Sequence, residues 1–216
     1  MLVLKTSAER WDPRWSALLV VDVQNDFVSP KGSAAQRGDD VSAAVAMVPR
    51  LIRLIDEARR VGLTVVYIKT THGEWTDTPS WIYRKSQQKV LNTCREGTWG
   101  AEFYEGISPR PTERVVIKHR YSAFINTDLN TVLKAKGIES VLTTGVATNV
   151  CVETTTRDAY MFDYYVTMVG DCSAAYDPKL HESTLENIRR HFGLAANSDE
   201  IMQTWQGLGQ KKAAGL

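Results

Sequence analysis

The run ESVLTTGVATNVCVETTTRD at residues 139–158 decides the fold. Its first part, Ser140-Val141-Leu142-Thr143-Thr144, is β-branched and apolar and reads as a buried parallel strand. Gly145 is expected to close that strand. Thr148 and Asn149 are then N-cap candidates for a helix over residues 149–163 that carries Cys151, Val152, Thr155 and Ala159. This places Cys151 in the first turn of a helix, just past the carboxyl end of a strand, the edge at which open α/β sheets bind ligands. A helix N-terminus offers unpaired N–H groups and a positive dipole end, so it is expected to lower the thiol's pKa and favour the thiolate. A lone cysteine is by default an inert buried thiol. Here strand end, tight turn, cap and thiol coincide, and the nucleophile is the stronger reading.

Working outward, the same alternation repeats. Residues 1–15 read as a surface arm. Residues 16–22, SALLVVD, form a strand with a carboxylate at its end, and residues 25–40, with Pro30, Gly32 and Gly38, form a loop. A helical spacing of apolar residues runs over 41–61 and is closed by Gly62; it starts at Val41 or at Pro49. Strands follow at 63–69 and 113–118, a helix at 127–136, a strand at 165–169 and a turn back at 171–175. A helix at 178–191, a short strand at 194–196 and a helix from Ser198 complete the pattern. Strand and helix alternate throughout, which predicts a three-layer α/β/α sandwich, a single domain over 1–216 with a six-stranded, mostly parallel, Rossmann-like sheet. The stretch 70–110 is irregular and rich in aromatics, as pocket walls and subunit contacts both are.

Composition narrows the classes. The 216 residues are 43% hydrophobic, enough for a sizeable core. Lys and Arg number 26 against 25 for Asp and Glu, so no charge field points to nucleic acid or a membrane surface. There is no apolar run of membrane-spanning length and no signal-peptide pattern at the start. Three cysteines, an odd number without a CxxC pair, argue for a reducing cytoplasm and against both a disulfide framework and structural zinc.

Three ionisable residues stand at the carboxyl ends of three expected strands: Asp22, Lys118 and Cys151. Each alone has a plain reading as a loop cap, a solvated strand end and a core thiol. Together at one sheet edge they can work as a unit. A thiolate attacks a carbonyl or ureido carbon. A carboxylate takes the thiol proton, passes it to the leaving amine and later activates water. A buried Lys keeps the carboxylate ionised. The amides at Ala147 and Cys151, around the turn, are placed to hold the oxyanion.

The pieces LLVVDVQNDF (18–27), VIKHRYSAF (116–124) and TTGVATNVCVETTTRDA (143–159) together resemble the isochorismatase-like cysteine hydrolases, over nearly the whole chain. The resemblance implies Asp22, Lys118 and Cys151 as a catalytic triad, an oxyanion hole at Ala147 and Cys151, a cis peptide between Val146 and Ala147, and a homodimer or homotetramer. Isochorismatase proper lacks the nucleophilic Cys, so Cys151 favours amide or ureido hydrolysis. Nicotinamidases carry an Asp/His/His metal site after the second strand; here residues 69–75 read KTTHGEW, with His72 alone, so neither metal nor other cofactor is expected. The likeness is nearest to ureidoacrylate, biuret and N-carbamoylsarcosine amidohydrolases, which cleave a terminal carbamoyl group from a small molecule.

The remaining candidates for the pocket are Gln24 and Asn25 beside Asp22, Tyr121 and Phe124 beyond Lys118, and Trp99 as a cover. For each, loop capping or core packing competes with binding. Arg84, Lys85 and Arg120 are candidates for a substrate carboxylate, with surface solvation as the plainer fate. Arg157 and Asp158 are expected to pair with each other, and Cys94 and Cys172 to be bystanders. Two rival functions stay open, a nicotinamidase-type amidase and an idle relative that only binds. A thiol-redox role is weaker, since no second Cys lies near Cys151 in sequence.

Overall fold

The protein is described by a computed structural model over residues 3–88 and 92–213. Six strands form one parallel sheet: β1 (Ser16–Val21), β2 (Thr64–Thr70), β3 (Arg114–Lys118), β4 (Ser140–Val146), β5 (Tyr165–Ala174) and β6 (Leu194–Ala196). Their order is β3-β2-β1-β4-β5-β6, with every pairing parallel. The order reverses between β1 and β4, both of which are buried along their whole length. A switch point of this kind leaves a crevice at the carboxyl edge.

Successive side chains of β1 alternate between two apolar layers. Leu18 and Val20 face the layer built by α4 (Ser42–Arg60) and α9 (Ser198–Ala213), through residues such as Leu51, Leu54, Ile201 and Trp205. Ala17, Leu19 and Val21 face α6 (Leu129–Ala135), α7 (Glu153–Met161) and α8 (Pro178–His191), through Leu129, Leu133, Ala159, Leu185 and Ile188. The period-two alternation of a strand and the one-sided stripe of each helix therefore produce the sandwich. Each fully buried Leu or Ile contributes about 1.5–3 kcal/mol.

Several boundaries differ from the sequence reading. The first fifteen residues are not a bare surface arm. A helical turn, α1 (Ser7–Arg10), leads into Trp11, which is buried, donates from Nε1 to Thr167 Oγ1 at 3.0 Å and accepts from Trp205 Nε1 at its carbonyl. The expected loop at 25–40 holds two short helices, α2 (Asn25–Val28) and α3 (Ser33–Gln36). The helix α4 runs through Pro49 rather than starting there. Within 70–110 lie α5 (Pro79–Gln87) and a 3-10 turn (Trp99–Ala101).

Gly145 does not end β4. It takes φ +111 and continues the pairing with Val21, and a Cβ there would sit 1.9 Å from the Val21 carbonyl oxygen. Only glycine lets the two strands stay in register at this point. Nor does the chain turn back at Asp171: β5 continues to Ala174 after a register slip opposite Thr143 and Gly145. Among the described residues no helix is long and apolar enough to cross a membrane.

Candidate active site

The carboxyl ends of β1, β2 and β3 and the turn after β4 meet in the crevice. Asp22 follows β1 with φ 54, a conformation that costs a non-glycine residue energy and is tolerated best by Asp and Asn. Lys118 ends β3 and is fully buried. Its Nζ lies 2.7 Å from Asp22 Oδ2 and 3.5 Å from Cys151 Sγ, and donates to the Arg120 carbonyl at 3.0 Å. Between the two strand ends stands Thr70, the last residue of β2. Its Oγ1 accepts from Lys118 Nζ at 2.6 Å and donates to Asp22 Oδ1 at 2.9 Å. Sequence reasoning missed Thr70, although it holds the same strand-end position as Asp22 and Lys118.

After β4 the chain makes a π-helical turn (Thr148–Val152) that runs straight into α7. Thr148 and Asn149 do not cap it. The Thr148 hydroxyl is instead bonded to His181 Nδ1 at 2.9 Å, and the Ala147 carbonyl accepts from the amides of Val150 and Val152. The peptide between Val146 and Ala147 is cis. Cys151 is buried, with Asp22 in hydrogen-bonding reach of its thiol.

The expectation of a lowered thiol pKa fails here. Burial pushes the Cys151 thiol up to about 12; the Lys118 ammonium offsets part of this, and the nearby Asp22 carboxylate adds to it. With the sulfur buried, the partial dipole at a helix turn does not offset the cost of desolvating the thiolate. The resting group is therefore a neutral thiol facing a carboxylate. For Lys118, burial is the largest single influence and acts to lower the pKa, but the charges and hydrogen bonds of Asp22 and Cys151 together outweigh it and the net direction is upward. The ammonium stays charged. Asp22 Oδ2 accepts no well-directed hydrogen bond among the described residues despite its ion pair with Lys118. That lone pair remains available for the thiol proton.

A cavity of about 560 Å³ opens above these groups. Ala147, Cys151 and Lys118 line it, with Thr70, Tyr121 and His72. The α5 helix contributes Trp81 and Lys85, and the turn after β5 contributes Tyr176, none of them singled out as a strong pocket candidate from sequence. Trp81 packs against His72 and Tyr121 with ring centroids 5.3 Å apart in both cases. Burial holds the His72 imidazole down at about 4, against the pull of Asp77, so His72 is neutral. Its Nδ1 lies 3.6 Å from Asp77 Oδ1. Among the described residues no third His, Cys, Asp or Glu joins them.

Four expected binding residues lie elsewhere. Gln24 is fully buried and spends its amide on backbone, donating to the Thr70 and Ala101 carbonyls and accepting from the Thr70 amide. Asn25 donates from Nδ2 to the Trp99 carbonyl at 2.8 Å. Trp99 is half exposed and does not line the cavity, because its backbone rather than its ring is what α2 holds. Phe124 packs into the α6–α7 layer against Phe162 and Tyr164. All four positions hold the loops that frame the site. Arg84 is exposed and off the cavity, whereas Lys85 and Arg120 line it. Arg157 pairs with Glu153, one helical turn back, rather than with Asp158. Cys94 and Cys172 are buried thiols, both pushed up by burial.

The chain has counterparts among known proteins. The family description "Isochorismatase domain" fits residues 16–200. The chain belongs to the isochorismatase family. It is 31% identical over 212 residues to the ureidoacrylate amidohydrolase RutB of Caulobacter vibrioides, covering 90% of this chain and 92% of that one. Among solved structures it resembles N-carbamoylsarcosine amidase from Thermoplasma acidophilum, at 30% identity and TM-score 0.70, over 86% of this chain and 97% of that one. A cysteine hydrolase from Pseudomonas syringae pv. phaseolicola matches with TM-score 0.80 at 27% identity, over 90% of this chain and 94% of that one. As a member of the family the chain is a hydrolase.

Proposed function

We propose that the protein is a metal-independent cysteine amidohydrolase that cleaves a C–N bond of a small ureido or carbamoyl compound, of the ureidoacrylate, biuret or triuret kind. Hydrolysis of a carbon–nitrogen bond other than a peptide bond follows from the family and from relatives named as amidohydrolases. The observation that carries the cysteine mechanism is the buried Cys151 thiol beside the Asp22 carboxylate, with the Lys118 ammonium 2.7 Å from Asp22 Oδ2 and 3.5 Å from Cys151 Sγ.

In this reading substrate binds with its carbonyl carbon over Sγ. As the S–C bond forms, the thiol proton passes to Asp22, so no free thiolate is needed beforehand. The amides of Ala147 and Cys151 hold the oxyanion of the tetrahedral intermediate. Asp22 returns the proton to the leaving nitrogen, the C–N bond breaks, and ammonia or an amine departs. A carbamoyl or acyl thioester remains on Cys151. Water, deprotonated by Asp22, attacks that thioester, and the thiol leaves with the proton. Lys118 stays protonated throughout and offsets the negative charge. The same reading holds the small molecule to be the partner, the cytoplasm to be the setting that keeps all three thiols free, and a homodimer or homotetramer to be the assembly. Exposed Tyr160, Met161 and Phe162 at the end of α7 supply apolar surface for such an assembly.

The test is ammonia release from ureidoacrylate, biuret, triuret, N-carbamoylsarcosine and nicotinamide, for wild type and Cys151→Ala, with and without a chelator. Chelator-insensitive turnover of a ureido compound that vanishes in Cys151→Ala is the expected result. Retained activity in Cys151→Ala refutes the mechanism. Chelator-sensitive turnover of nicotinamide alone moves the protein to the rival amidase class, and sedimentation velocity reads the assembly.

A further inference from the structure

The charges around the cavity do not cancel, and the remainder sits on one wall. Lys118 is paired with Asp22, and Arg37 with Asp39. The Asp177 carboxylate accepts from the Lys179 amide and caps α8. Two cations remain, Lys85 and Arg120, neither within ion-pair distance of a carboxylate among the described residues. They differ in how their donors are used. The Arg120 guanidinium donates from Nη1 to the carbonyls of Thr76 and His119, and from Nη2 to Thr78 Oγ1, so it ties down the loop leading into α5. Lys85 makes one hydrogen bond, a 3.3 Å contact from Nζ to Tyr121 OH. Its ammonium otherwise lies 4.5 Å from the Trp81 ring centre and 4.9 Å from that of Tyr121. An ammonium has three donors, and ring faces attract the charge without taking up its N–H groups.

We propose that Lys85 is the specificity-determining residue that meets a carboxylate on the substrate, so that the protein prefers a ureido acid to a neutral ureido compound. The inference rests on the ureido-hydrolase reading above and deepens it. Trp81 and Tyr121 fix the ammonium against the cavity wall, while Arg120 adds positive field and holds the α5 approach. The chemistry of the far end requires this polarity. The Asp22 carboxylate stands beside Cys151 with Lys118 as its ion-pair partner at 2.7 Å, so an anionic substrate settles there best when its own charge is held away from Asp22 by a second cation. The carboxylate then points to α5 and the ureido carbon to Cys151. A neutral substrate such as biuret gains nothing from this wall.

The test measures binding and does not depend on turnover. In the full-length Cys151→Ala protein, 3-ureidoacrylate and its isosteric primary amide are titrated by calorimetry, then again with Lys85→Met or Lys85→Arg added. The expected result is that the acid binds tighter than the amide by about ten-fold or more, the gain of one charged hydrogen bond. Lys85→Met removes that difference by weakening the acid alone, and Lys85→Arg keeps most of it. Circular dichroism verifies that each variant is folded. Equal affinity for acid and amide overturns the proposal, as does failure of the acid to bind or a Lys85→Met effect shared by both ligands. Turnover in the panel above separates the two readings. Cys151-dependent hydrolysis of neutral ureido compounds without acid preference leaves the function standing and removes Lys85's role. A Lys85-dependent acid preference without any hydrolysis does the reverse.

Discussion

Replacing Lys118 with Met removes the charge at the centre of the site while keeping most of the side-chain volume. In the wild type the buried ammonium faces Asp22 Oδ2 at 2.7 Å and donates to Thr70 Oγ1 and the Arg120 carbonyl. Lys118→Met leaves Asp22, itself fully buried, without a counter-charge. Breaking a buried pair from one side costs about 3–5 kcal/mol, because the remaining charge is uncompensated. For a chain of this size each kcal/mol moves Tm by roughly 2–4 °C, so the expected loss is roughly 6–20 °C. Asp22 relieves part of the cost by taking up a proton, which also removes the base that the thiol needs. The variant is therefore expected to be both unstable and inactive. Adding Asp22→Asn separates the two effects. Asn tolerates the positive φ at position 22, still accepts from Thr70 and carries no charge. The double variant should regain at least half of the lost stability and no activity. Thermal melts and urea titrations of wild type, both singles and the double close the cycle. A Lys118→Met protein within about 2 °C of wild type on that scale, or a double variant less stable than Lys118→Met, refutes the account of the pair.

Alkylation of Cys151 by iodoacetamide should be slow at neutral pH and rise without a plateau between pH 7 and 10, because the buried thiol is held up at about 12; peptide mass mapping reads each Cys, and a plateau below pH 7 refutes the neutral thiol. Stability should fall at both pH extremes. Cys151 and Cys172 are raised to about 12 from an ordinary 9.0, so above pH 9 the unfolded chain loses protons that the folded one keeps, and stability declines as pH rises. His72, lowered from 6.5 to about 4, acts on the acid side: below pH 6.5 the unfolded chain binds a proton that the folded one refuses, and stability declines as pH falls towards 4. Urea midpoints across pH 4–10.5 test both slopes, and a flat profile contradicts both. Gln24→Ala strands the Thr70 amide and two carbonyls, and at about 1–3 kcal/mol for a buried group left unpaired it should destabilise strongly. Trp99→Ala should leave KM unchanged; a raised KM in steady-state assays would return Trp99 to the pocket.

The sheet was legible because strand and helix carry different periods. Val141 to Thr144 can only be a buried strand, and the stripe on residues 178–191 gave helix bounds identical to α8. Where the reading slipped, tertiary contact decided the matter. Gly145 looks like a strand end in one dimension, yet the close approach of Val21 makes glycine the residue that allows β4 to continue. Asp171 to Ala174 looks like a turn, but pairing with β4 extends it. Trp11 looks like part of an arm until its indole finds Thr167, far away in sequence.

The residues at the crevice divide along the same line. Asp22, Lys118 and Cys151 could be grouped from sequence because topology alone brings parallel strand ends to one edge, and that step needs no knowledge of loops. Thr70 obeys the same rule and was still overlooked, since a threonine ending a strand carries no charge to draw attention. Gln24, Asn25 and Trp99 failed for the opposite reason: polarity and aromaticity near the edge suggested binding, but backbone groups claimed the two amides first, and an irregular segment has many such groups to satisfy. Burial also reversed the electrostatics expected of Cys151. A helix turn favours a thiolate only where solvent or a free cation shares the charge, and here the cation is already bound to Asp22. In the proposed mechanism the sheet edge keeps the proton on sulfur until attack, so that attack and proton transfer to Asp22 occur together. Such a site stays quiet towards stray electrophiles and is drawn into reaction by a substrate that fills the cavity, which is why the α5 wall, and Lys85 on it, is the place to look for selection.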